Sequence, residues 1–219
     1  MKKNLNLIIA SILFTAFIIF TVIVKTVDVS FIVTNGTYIG LSSFNYLVGN
    51  WVMSLNKMND MKIISDILLY IVLGFSLIFF IVGIIQWIKG KSLKTVDKNI
   101  YLLAIFYVLI AIIFLVFEIV RVNYSPISDK GLKASYPSTH VFVGASLLLL
   151  NSVIAIKMLN IENKLYKAII YISAIIIALL IAFTRLLSLK HWATDIIASF
   201  ILIPSVFFLF RHFYKYLNE

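Results

Sequence analysis

The sequence predicts an all-α fold: a polytopic integral membrane protein whose six transmembrane helices form one bundle. Three observations predict it. Hydrophobic residues make up 62% of the 219-residue chain, with a mean hydropathy of +1.06, far above the usage of an ordinary soluble domain. Six apolar runs approach the ~20 residues that cross a hydrocarbon core, at roughly 5–24, 64–87, 100–120, 140–156, 167–184 and 193–210. The cationic residues divide unevenly between the two sides those runs define, 11 on the side of the N-terminus and 8 on the other. That bias places the N-terminus in the cytoplasm.

Each element has its own justification. The first run follows Met1-Lys2-Lys3, is longer than a signal-peptide core and precedes no small-x-small cleavage site, so it reads as a retained helix. Residues 25–63 form the longest stretch outside the runs and carry Thr34-Asn35-Gly36-Thr37, an Asn-Gly turn signal. Phe44, Tyr46, Trp51 and Met53 suit headgroup depth; the segment reads either as a partly inserted cap over a site or as a loop lying on the bilayer. Lys89-Gly90-Lys91-Ser92-Leu93-Lys94 and the stretch from Lys157 to Lys167 are basic inner turns. The third run ends at Glu118, and an outer loop leads through Arg121 and Asn123-Tyr124-Ser125-Pro126 to Tyr136-Pro137-Ser138-Thr139-His140. A proline and two small hydroxyl residues before an apolar run mark a helix start, with Ser138 as N-cap. The fifth run ends at Arg185. A sixth helix opening near Lys190 would put His191 and Asp195, four apart, on one face. The whole chain, 1–219, reads as a single domain, its histidine-bearing core at about 100–212 and its first helix and outer loop at 1–63.

The chain has no cysteine, which excludes disulfides, thiolate catalysis and cysteine metal sites. Its net charge of +10 follows membrane topology and gives no reason to invoke nucleic acid. What needs explaining is the outer edge of the bundle, where His140, Arg185, His191 and Asp195 stand at the ends of apolar runs. Ionisable groups there are costly, and functional by default. The free N–H groups at the start of the fourth helix, around Ser138 and Thr139, make an anion site. Arg185 adds a planar fork of donors suited to phosphate, and Asp195 can orient His191 as an activated nucleophile. Each residue also has a plainer reading: a lone histidine sits comfortably at an interface, Arg185 and Lys190 can snorkel to headgroups, and Ser138 and Thr139 are ordinary helix starters. Glu118 can pair with Arg121 at i+3. His212, near the inner C-terminus, lacks partners and reads as interfacial. The glycosylation triplets at Asn35 and Asn123 are assigned no role.

Pro137-Ser138-Thr139-His140, followed by Thr184-Arg185 with His191 and Asp195, resembles two of the three motifs of the type 2 phosphatidic acid phosphatase superfamily, in its bacterial branch. The resemblance covers the last four helices. It implies a metal-independent lipid phosphatase without cofactor, multi-pass in a bacterial cell membrane, with its site on the extracytoplasmic side. In that family's chemistry His191 would attack phosphorus to form a phosphohistidine, Asp195 would orient it, and His140 would protonate the leaving oxygen. Arg185, Ser138 and Thr139 would hold the phosphoryl oxygens. The partners implied are the bilayer and a lipid phosphate: undecaprenyl diphosphate, phosphatidylglycerol phosphate or phosphatidic acid. The first motif departs, with Glu118 at the lysine position and Ser125 at the arginine position. Losing one transition-state donor costs on the order of 100- to 1000-fold; Arg121, Lys130 and Lys133 are candidates to replace it. The alternative is a catalytically weakened homologue that binds or moves a lipid phosphate. A solute transporter would need more polar residues deep in the bundle.

Overall fold

The computed structural model describes residues 4–32, 36–127 and 132–219; Lys2, Lys3, Thr34, Asn35 and Lys130, which entered the expectations above, lie outside them. Six helices are long and apolar enough to cross a membrane: α1 (Leu5–Thr26), α3 (Met58–Gly90), α4 (Lys98–Val120), α5 (Thr139–Met158), α6 (Lys164–Leu187) and α7 (Ala193–Asn218), with a shorter α2 (Ser42–Ser54) between the first two. The six expected spans are present, and the structure moves their ends. The second begins at Met58 instead of 64, giving a 33-residue helix about 50 Å long, well over the ~30 Å hydrocarbon core. The helix is therefore longer than the hydrocarbon is thick. The last begins at Ala193, so His191 lies outside the helix and the one-face argument for His191 and Asp195 does not hold.

The centre of the bundle is α5 and α7. In α5 67% of the spanning stretch is buried and in α7 61%, against 17% in α1 and α3. Around them α1 runs along α7, while α3, α4 and α6 pack on α5. Aromatic and branched side chains fill the seam, among them Phe17, Phe106, Phe142, Ile154, Leu202 and Phe210. Three helices are also tied by a polar chain in mid-bundle. Tyr107 donates to Asn151 Oδ1, Asn151 Nδ2 donates to Ser76 Oγ at 2.8 Å, and Ser76 Oγ donates to the Val72 carbonyl at 2.9 Å. These groups satisfy one another, as polar groups in lipid must, and fix α3, α4 and α5 in register.

The segment between α1 and α3 is a cap. Strands β1 (Ser30–Ile32) and β2 (Thr37–Ile39) pair antiparallel, with Phe31 opposite Tyr38, a small addition to an otherwise helical chain; Gly36 between them takes φ 68°. The Asp28 carboxylate starts α2, accepting from Ser43 N at 2.7 Å and Ser42 Oγ at 2.9 Å, and these bonds hold its pKa below the ordinary carboxylate value. Asn45 then fastens α2 to the start of α7: its Nδ2 reaches Thr194 Oγ1 at 3.0 Å and its Oδ1 accepts from Thr194 N at 3.2 Å. Tyr46 packs edge-on against Trp192, ring centroids 5.7 Å apart, and Val52 is buried with Leu187 and Leu189. Phe44, Trp51 and Met53 remain exposed. The segment is thus fastened to the bundle at the start of α7, and none of its residues before α3 lines the cavity described below.

Candidate functional site

Two loops meet at the start of α5 and α7. The first folds back on itself, with Ser135 N donating to the Asn123 carbonyl at 3.0 Å and Ser125 N to the Lys133 carbonyl at 2.9 Å. The second, 188–192, is stitched to it. Ser125 Oγ lies 2.9 Å from the carbonyls of both Ile127 and Lys190, and Trp192 Nε1 donates to the Tyr124 carbonyl at 2.8 Å. Ser125, where the resembled family carries arginine, thus works as a loop tie.

His191 is fixed by the first loop. Its Nδ1 donates to the Ser135 carbonyl at 2.7 Å, whereas Asp195 Oδ2 stands farther off, at 3.8 Å. With Nδ1 engaged, Nε2 is the nitrogen left for reaction. Asp195, 0% exposed, accepts instead from Asn123 Nδ2 at 2.9 Å and from Trp192 N at 3.0 Å, and so caps α7. Burial pushes the His191 imidazole below its ordinary pKa; the Arg185 charge adds to this, while Asp195 and the Ser135 carbonyl oppose it. The imidazole stays neutral.

Ser138 is the N-cap of α5 as expected, without a side-chain capping bond. Its N–H is spent on the Asp195 carbonyl at 3.0 Å, so it is not available to an anion. The N–H groups one to three residues further, from Thr139 on, are the ones a helix start leaves unpaired. Thr139, His140, Arg185 and His191 line one cavity of about 720 Å³, within the ordinary range for a ligand site. Lys62, Lys133 and Lys190 line it too, as do Glu118 and Ser125. Tyr70 of α3 lines it and is exposed. Of the substitute cations, Lys133 is there; Arg121 is not, its Nε donating to the Glu118 carbonyl at 3.4 Å. The expected Glu118–Arg121 pairing is thus a main-chain contact. His212 packs on Phe213 at the far end of α7.

Among the lining residues that were missed, one bonds directly to two of the expected ones. Asp66 of α3 brings Oδ1 to 2.9 Å from His140 Nε2 and 3.1 Å from Arg185 NH1. Its signal was present, a carboxylate inside an apolar run, the same feature that drew attention to Asp195. Asn123 and the Ser135 carbonyl gave no comparable signal.

The PAP2 superfamily model matches residues 71–219 of the chain. The chain belongs to the PAP2 superfamily. Members of that superfamily are phosphatases, and the match spans the last four helices and both histidine motifs. Among solved structures, the crystal structure of the first transmembrane PAP2-type phosphatidylglycerolphosphate phosphatase from Bacillus subtilis matches with a TM-score of 0.69 at 19% identity, over 94% of this chain and 96% of that one. At that identity the likeness is one of fold, and it extends to the α1–α2 region that the PAP2 match leaves out. No curated protein matches the chain by sequence.

Proposed function

We propose that this PAP2 protein is a membrane lipid phosphatase that cleaves a phosphomonoester or diphosphate of a lipid at the outer leaflet, through a phosphohistidine on His191. The observation that carries the reading is convergence: His140, Arg185 and His191, from three separate segments, line one cavity at one end of a membrane bundle. His191 Nε2 attacks phosphorus as the bond to the lipid oxygen breaks, and His140 gives that oxygen its proton. Arg185 and the first N–H groups of α5 take the charge gathering on the phosphoryl oxygens, where preorganised donors contribute most. Water, deprotonated by His140, then splits the phosphohistidine and releases phosphate. Asp195 supports the nucleophile from behind, holding the start of α7 and the Asn123 loop together. Lys133, with Lys62 and Lys190, supplies positive charge where the family arginine is replaced by Ser125. The substrates that fit are of the undecaprenyl diphosphate, phosphatidylglycerol phosphate or phosphatidic acid class, the second being the one for which the Bacillus subtilis phosphatase is named. The cationic bias supports an extracytoplasmic site in a bacterial cell membrane.

Phosphate release from a panel of those lipids by detergent-purified protein tests the reading. We expect release that EDTA does not reduce and that His191→Ala lowers by on the order of 1000-fold or more. No release by folded protein from any of them would favour the second reading, a lipid-phosphate binder, for which Ser125 is the supporting observation.

A further inference from the structure

We propose that Asp66 is the positioning residue of this site, its carboxylate aiming both the His140 imidazole and the Arg185 guanidinium into the cavity. The proposal rests on the reaction proposed above. A single oxygen, Asp66 Oδ1, takes a hydrogen bond from each of two side chains that belong to different helices, α5 and α6. It is the one hydrogen-bond partner either side chain has among the described residues; His140 Nδ1 and Arg185 Nε are buried without one. Remove the carboxylate and both lose their only directional restraint. Arg185, 8% exposed, would also lose the counter-charge that makes its burial tolerable.

Asp66 is not itself placed to be the acid. Its bonded oxygen is occupied by two donors, and Lys62, Lys133, Lys190 and His191 face the same cavity besides Arg185; among the described residues Glu118 is the only other carboxylate in the lining. A charged acceptor shared by two donors holds a plane and a direction, as the groups behind a metal-bound histidine do. Its position in the chain adds a second point. Asp66 lies before residue 71, where the superfamily match begins. The stretch that carries the histidine motifs is therefore completed from outside itself, by the first turns of α3.

The test compares wild type, Asp66→Ala, Asp66→Asn and His191→Ala on a lipid phosphate and on nitrophenyl phosphate, whose leaving group departs without a proton. Misaiming a reacting group by about 1 Å costs about 100-fold, so Asp66→Ala should lower kcat on the lipid by about that factor. On nitrophenyl phosphate, whose leaving group takes no proton from His140, the loss should be smaller, what remains reflecting the aiming of Arg185 and of His140 as base to water. Asp66→Asn keeps size and one acceptor, guards against a folding failure in the alanine variant, and should fall between. Equal losses on the two substrates would make Asp66 merely structural and overturn the proposal. So would lipid turnover within threefold of wild type, or above it, the last meaning that Asp66 competes with phosphate for its donors. If wild type releases phosphate from neither substrate, the reading of the site itself fails and this proposal with it; in the other cases only this proposal fails.

Discussion

A main-chain carbonyl has one advantage over a carboxylate as the orienter of an imidazole: it does not titrate. The Ser135 carbonyl holds His191 Nδ1–H whatever the protonation of the acids nearby, so the direction of the ring does not change with theirs. Burial lowers the His191 pKa from the ordinary 6.5. A lowered imidazole pKa means that the neutral, nucleophilic form survives as pH falls through 6.5 and is lost only below it. The chain has 3 histidines, so ring-labelled protein gives resonances that single substitutions assign. The His191 signal should titrate below pH 6.5, and a midpoint at or above that value would contradict the burial argument. His140, Arg185, His191 and Asp195 were legible in the sequence because each sets a costly group at the edge of an apolar run. Asp66 carries the same cost, but it fell inside a span drawn from residue 64 and had no histidine beside it in sequence. Asn123 and the Ser135 carbonyl were not legible at all, since their directions arise from how a loop doubles back.

At the scale of the element, the cap depends on a close approach. A Cβ built on Gly40 would stand 1.5 Å from the Val24 carbonyl oxygen, so α1 and the residues leading into α2 can pass each other only at a glycine. Gly40→Ala should push the cap off α1 and loosen the Asn45–Thr194 fastening beside the site. Overpacking of this kind costs about 1–3 kcal/mol. We expect a melting temperature in detergent lower by several degrees, at about 2–4 °C per kcal/mol; an unchanged value would show that the cap relaxes without strain. Residues 25–63 were legible only as an alternative between cap and surface loop. Amphipathic aromatics serve both, and what fastens the segment is Asn45 meeting Thr194, a contact 149 residues apart in the chain. The start of α3 was misplaced for a related reason. Its first turns are polar enough to read as loop, yet they are helical, and Lys62 and Asp66 on them line the cavity.

For the whole molecule, the spans and their order were legible because hydrocarbon thickness sets helix length and the chain has few charges to place. The absence of cysteine makes the sidedness directly measurable. Lys57 and Lys94 are both exposed and lie beyond opposite ends of α3's apolar stretch. In whole cells a membrane-impermeant maleimide should label Lys57→Cys and leave Lys94→Cys unlabelled until the membrane is opened; the reverse pattern would turn the site to the cytoplasm. The cavity's place, at one end of the bundle with Tyr70 of α3 in its lining, has a further consequence for the proposed reaction. Its two products belong to different phases. Inorganic phosphate leaves into water and the dephosphorylated lipid slides back into the bilayer, so neither departure obstructs the other. Dilution of phosphate outside the cell then draws the reaction forward without coupling to any other source of energy.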